Sequence, residues 1–138
     1  MGILVDGVLN RSGTTKMIER VLGVSADENN IFVSSYEDFV LQVDVEQNSP
    51  LIVVRLGKVL PGVDEGSEKI INEFNTNSFL GTHIIYSLKE KMQCYTYKAP
   101  CWVDEQGSEA EFREFLEHCN REAIECYTEL VTKRQGKG

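Results

Sequence analysis

The residues that could carry chemistry in this chain are few and scattered. Four cysteines and two histidines are the natural place to begin. Cys94 and Cys101 stand seven positions apart, as do Cys119 and Cys126, and neither pair makes the C-x-x-C unit of a zinc knuckle or a dithiol redox site. They read as small apolar side chains with reduced thiols. A zinc site would have to combine some of them with His83 or His118, whereas structural zinc draws on close ligand pairs, so no metal is expected. Neither histidine has a sequence neighbour that suggests a proton relay. Both read as surface or edge residues.

Phosphate chemistry fares no better. Val5-Asp6-Gly7-Val8-Leu9 is similar to part of the haloacid-dehalogenase signature, but Leu4 stands where the nucleophilic aspartate belongs. An apolar side chain can neither attack phosphorus nor bind magnesium. Gly13-Thr14-Thr15-Lys16 lacks the spaced glycines of a phosphate-binding loop, and ordinary helix capping accounts for it. There is no G-x-S-x-G, H-E-x-x-H or G-x-G-x-x-G. Asp104, Glu105, Glu109, Glu111 and Glu114 gather where a helix begins, where the helix dipole favours negative charge without a metal. The residues predict no enzyme and no cofactor.

The bulk composition narrows the partners. A chain of 138 residues is one domain, long enough to bury a core without disulfides. Its net charge of −8 disfavours nucleic acid and anionic membranes, and suits basic or mixed-charge polypeptide segments. No apolar run is long enough to span a bilayer. The first residues carry no basic region, and Asp6 stands where a myristoylation signal has Ser or Thr, so a cytoplasmic location is expected.

The elements that must position any site follow from periodicity. Residues 1–13 read as an N-terminal arm, 14–134 as a single domain and 135–138 as a tail. Met17, Ile18, Val21 and Leu22 fall at helical spacing from about Thr14, with Ser12 or Thr14 as the cap and Gly23 ending the turn. Ile31–Ser35, Phe39–Glu46 and Leu51–Leu56 read as a three-stranded meander turning at Tyr36-Glu37-Asp38 and Gln47-Asn48-Ser49. The third strand is apolar on both faces, which predicts cover on both sides by helices, a second subunit or a ligand. Asp64 or Ser67 caps a second helix to about Asn75, with Ile70, Ile71 and Phe74 on its inner face. Leu80–Leu88 and Met92–Ala99 form a hairpin that Pro100 ends. A long helix closes the chain, opened by a Ser108/Glu111 capping box, with Phe112, Phe115, Leu116, Cys119, Ala123, Cys126, Tyr127 and Leu130 on one stripe. Trp102 anchors the connection before it or, if exposed, offers a partner a hot spot. The order gives an α+β fold: helix, three strands, helix, two strands, long helix.

That succession resembles the small type III secretion chaperones of the Tir-chaperone type from Thr14 to about Val131. The shared features are Arg20-Val21-Leu22-Gly23 ending the first helix, and Ile71-Asn72-Glu73-Phe74-Asn75 leading to Leu80-Gly81. The YbjN-like bacterial regulators look similar over the same stretch. The first resemblance implies a non-enzymatic homodimer that holds an extended segment of a partner protein, possible sources including a secreted effector. The second implies a regulator of unknown ligand. Partner-binding candidates are Met17 and Val21 on the first helix with Phe32, Val40 and Val54 on the meander. Dimer candidates are Ile70, Ile71 and Phe74. Ordinary core packing is the alternative for each.

Overall fold

Apolar side chains on the strands between Ile31 and Trp102 build an antiparallel sheet with one buried face, and three helices supply its cover. The computed structural model describes residues 4–5, 8–9, 12–45, 51–62, 64–78, 80–89, 92–102 and 109–135. In chain order the elements are β1 (Leu4–Val5), β2 (Val8–Leu9), α1 (Ser12–Leu22), β3 (Ile31–Tyr36), β4 (Phe39–Val45), β5 (Leu51–Leu60), α2 (Ser67–Thr76), β6 (Thr82–Lys89), β7 (Met92–Trp102) and α3 (Glu109–Gln135). Strands β1 and β2 pair with each other, and the remaining five form a sheet in the order β3-β4-β5-β7-β6. The fold is the expected α+β arrangement.

One face of the sheet is the core. Phe32, Leu41, Val43, Ile52, Val54, Leu56, Tyr95, Tyr97 and Ala99 are fully buried there. Against them lies the stripe of α3, where Phe112, Leu116, Cys119, Ala123, Cys126 and Leu130 are at most 2% exposed. Both cysteines on that stripe are therefore packing groups, and burial pushes each thiol up to about 12. Met17 and Ile18 of α1 close one end of this layer, Ile70 and Ile71 of α2 the other. Fully burying each large apolar side chain contributes about 1.5–3 kcal/mol, so this layer carries the stability of the domain.

Several details differ from the sequence reading. Helix α1 starts at Ser12, which places Thr14 inside the first turn, fully buried, rather than at the cap. Gly23 does take the left-handed conformation (φ 72°), with its N–H on the Glu19 carbonyl at 2.8 Å. The residue before α2 is Gly66, with no side-chain cap; Asp64 instead accepts the Gly66 N–H at 2.9 Å. Pro100 does not end β7, which runs on to Trp102 with Pro100 opposite Val53. Strand β6 begins at Thr82 opposite Lys98, so beyond Lys98 β7 has a ladder neighbour on one side only, where proline is tolerated. Ser108, Gln47-Asn48-Ser49 and the tail lie outside the described residues, wholly or in part.

The largest difference concerns the second face of the sheet. Helices cover one face alone. The other exposes Val33 (56%), Val40 (59%), Val59 (49%), Tyr86 (47%) and Trp102 (69%). At its centre Arg55 bonds Asp44 at 2.5 Å, and Asp44 also accepts from Gln42 at 2.9 Å.

Candidate functional site

Among the described residues, one cleft lies beside α3 at each edge of the sheet. The first is polar and lies at the β6 edge. Asn75, at the end of α2, turns its amide onto the backbone of His83: Nδ2 donates to the His83 carbonyl at 3.0 Å, and Oδ1 accepts the His83 N–H at 2.7 Å. One side chain thus imitates a neighbouring strand and occupies that edge. Gly81 is required beside it, because a Cβ there would fall 2.2 Å from the Tyr97 ring.

This docking buries His83, which is 3% exposed and not the surface residue its sequence context suggests. Its Nδ1 lies 2.6 Å from the Tyr95 hydroxyl, its ring stacks on Tyr95 at 5.9 Å, and Phe74 meets it edge-on at 5.5 Å. Burial lowers the imidazole pKa, with Glu122 opposing the shift, so the ring is neutral near pH 7. The Glu122 carboxylate accepts from the Tyr97 hydroxyl at 2.6 Å, and His118 Nε2 stands 3.6 Å from its other oxygen; the Ser78 hydroxyl, 3.4 Å away, donates its proton to the Gly81 carbonyl at 2.6 Å. Burial, then the bond to Glu122, pushes the Tyr97 phenol up, and burial first also raises Tyr95. His83, Glu122 and Ser78 line a cavity of about 270 Å³ with Glu73, Phe74 and Asn77. Glu125 completes the rim.

The second cleft is smaller, about 150 Å³, and lies at the β3 edge. Val21 and Leu22 of α1, Tyr36 of β3 and Leu116 of α3 line it, with Arg113 and Glu117 on its rim. Burial, then Glu117, raises the Tyr36 phenol. Arg20 reaches Glu109 at 3.2 Å, joining α1 to α3 beside the cleft, and Arg113 stands 3.6 Å from the same carboxylate within α3. Among the described residues, strand β3 has a strand neighbour on one side only. The Val45 N–H bonds the Asn30 carbonyl at 3.1 Å, so by alternation Ile31, Val33 and Ser35 direct their backbone groups to the free edge. Asp27 takes both groups of Ile31, at 2.9 and 3.0 Å.

The five partner-binding candidates do not share one surface. Met17, Phe32 and Val54 are at most 2% exposed and belong to the core, as ordinary packing would have it. Val40 stands on the open face of the sheet, paired with Gly57, whereas Val54 pairs with Val43 on the core face. Val21 alone lines a cleft. Of the dimer candidates, Ile70 and Ile71 are 9% exposed and face the core, while Phe74 packs on His83. Sequence reasoning missed Glu122, Ser78, Asn75 and the two tyrosines. The i, i+4 spacing of His118 and Glu122 was the one available signal.

Fold and clefts together define a small α+β domain with two distinct recess chemistries. No protein-family model matches the sequence, and no curated protein does. Among solved structures, the chain is similar to that of YbjN, a putative transcription regulator from E. coli, with a TM-score of 0.59 and 11% identity over 86% of this chain and 89% of that one. The fold is YbjN-like.

Proposed function

We propose that this protein is a non-enzymatic adaptor that holds an extended segment of a partner protein along the free edge of β3. The observation that carries the reading is the coincidence of that free edge with the Val21 cleft. An incoming strand bonds the outward backbone groups of Val33 and Ser35 and seats one apolar side chain among Val21, Leu22, Tyr36 and Leu116. Ladder hydrogen bonds give affinity independent of sequence, and the cleft selects the side chain. Arg113 and Glu117 on the rim favour a mixed-charge segment. This is the mode expected from the secretion-chaperone resemblance.

A regulatory role fits the same surface. YbjN is described as a putative transcription regulator, and a chain of charge −8 would exert such a role through protein contacts rather than on DNA. The open sheet face adds self-association. Five strands at about 4.8 Å spacing and some 25 Å long make a face of roughly 600 Å², near the ~800 Å² per partner of a stable interface. A second copy meets this size with the same apolar set and a self-complementary Asp44–Arg55 centre. Capture from native lysate, with the bound protein identified and its segment made as a peptide, tests the adaptor reading. Val21→Asp should cut peptide affinity at least tenfold while circular dichroism stays native. Unchanged affinity in a folded Val21→Asp protein would sink the proposal.

A further inference from the structure

We infer that the β3 edge selects a short antiparallel segment with a basic-apolar pattern: two residues bonded to Val33 and Ser35, an apolar anchor next to the one at Ser35, and a lysine or arginine two positions from the anchor. This rests on the adaptor reading of that edge and gives its ligand a length, a register and a charge. Length is set by what is already taken. At one end of β3, Asp27 holds both backbone groups of Ile31, its N–H donating to the Ile31 carbonyl at 2.9 Å and its carboxylate accepting the Ile31 N–H at 3.0 Å. At the other end the strand stops at Tyr36, and the chain reverses through Glu37 (φ 52°). Among the described residues, Val33 and Ser35 are the outward positions left on β3 for a new ladder.

Register follows from the pleat. Every pair in this five-stranded sheet is antiparallel, and an antiparallel newcomer continues the pattern with the more stable ladder. Side chains of paired residues share a face, so the residues bonded to Val33 and Ser35 turn theirs to the open face, where Val33 is 56% exposed. Their neighbours turn the other way, to the face where Phe32 is buried and where Val21, Leu22, Tyr36 and Leu116 line the cleft. The anchor's own N–H and C=O then point away from β3. Binding therefore uses the backbone of the two bonded residues and the side chain alone of the anchor. A cleft of about 150 Å³ suits one leucine-sized side chain, well below the roughly 300 Å³ at which small-molecule pockets begin.

Charge narrows the mixed-charge expectation to a basic one. Glu117 stands at the cleft, and Glu37 follows Tyr36 where the strand ends. Burial, then Glu117 and Glu37, raise the Tyr36 phenol, and Arg113 opposes them more weakly. Arg113 also stands 3.6 Å from Glu109 within its own helix. The opening is acidic as a result, on a chain whose net charge is −8. A residue two positions from the anchor shares its face and lies about 6.6 Å along the segment. A lysine or arginine there meets the carboxylates of Glu117 and Glu37, and an acidic residue is repelled by them.

The test uses the full chain and the blocked peptide Thr-Lys-Thr-Leu-Thr-Lys-Thr, which has the same order of residues in either chain direction. Titration followed by NMR should give saturable shifts at the Val33 and Ser35 amides. N-methylation of the leucine, whose N–H points away from β3, should leave the affinity within about twofold. N-methylation of the two threonines beside it should weaken binding about tenfold or more, since at least one of them donates to the ladder. Serine in place of leucine, or glutamate in place of both lysines, should each weaken binding about tenfold. Glu117→Lys, at an exposed position of α3, should reverse the preference between the lysine and glutamate peptides. Loss of binding on methylating the leucine, equal binding of the serine or glutamate peptide, or no saturable shift at the two amides would each overturn the proposal. The adaptor reading fails separately: a captured segment that Val21→Asp weakens but that lacks this pattern removes the pattern alone, and one indifferent to Val21→Asp removes both.

Discussion

The two edges of the sheet are built from the same parts and finished in opposite ways. At each edge a strand, a second helix and α3 line one recess. At β6, Asn75 occupies the strand's backbone, and the recess beyond is lined by a buried histidine and carboxylates. At β3 the backbone of Val33 and Ser35 stays open, and the recess is lined by Val21, Leu22 and Leu116. Closing a strand edge with one amide side chain takes up the backbone groups that a further strand would need. The difference predicts that substitutions at β6 act on stability and substitutions at β3 act on binding.

The largest stability effect should come from Gly81→Ala. The new methyl would sit 2.2 Å from Tyr97 Cζ, and that ring is fully buried and bonded to Glu122, so it cannot swing away. A loss of about 1–3 kcal/mol is expected from such overpacking, read as a lower midpoint in urea unfolding. A wild-type midpoint would mean that the β6 edge is loosely packed, and the contrast would collapse. Tyr97→Phe comes next. It removes the hydroxyl that Glu122 accepts while keeping the ring, for a cost of about 1.5 kcal/mol typical of a hydrogen bond to a charged group.

His83 gives the contrast a pH dependence. Its folded pKa lies below the ordinary value of 6.5, chiefly through burial, so the unfolded chain binds the proton more readily. Stability from this group is therefore complete above about pH 6.5 and declines as the pH falls through that value towards the folded pKa, with a slope of at most about 1.4 kcal/mol per pH unit. His83→Gln should flatten unfolding midpoints between about pH 5 and 7. A slope that persists in the variant would assign the dependence to another group.

How far the sequence discloses these two edges depends on what sets each one. The helical stripe from Phe112 to Leu130 and the alternation from Phe39 to Val45 are local, and both appear in the structure where periodicity puts them. Val21 was legible for the same reason, being the partly exposed flank of an amphipathic helix. The β6 site was not. Leu80, Ile84 and Tyr86 make the more apolar set, so they read as the core face, which left His83 outside. In the structure Tyr86 is 47% exposed and His83 is buried. A register irregularity between Ser87 and Lys89 sets His83 opposite Tyr97 rather than Lys98, and a shift of one residue exchanges the faces of a strand. The bond from Asn75 fixes the outcome, and it joins elements that no local pattern connects.

The smallest stability effect, and the sharpest test of the contrast, should come from Val33→Pro. Val33 is 56% exposed on β3, and its N–H points away from β4, so the sheet loses no ladder bond when the donor is removed. Proline is tolerated at such edge positions, and the unfolding midpoint should correspond to a change of about 1 kcal/mol or less. An added strand, however, needs that N–H, and the pyrrolidine ring would stand in its path. The variant should therefore keep native circular dichroism and lose binding of a captured segment. If Val33→Pro binds the segment normally, strand addition at β3 is excluded, and the segment must sit elsewhere, with the open face of the sheet the next surface to probe through Val40→Lys and Trp102→Glu.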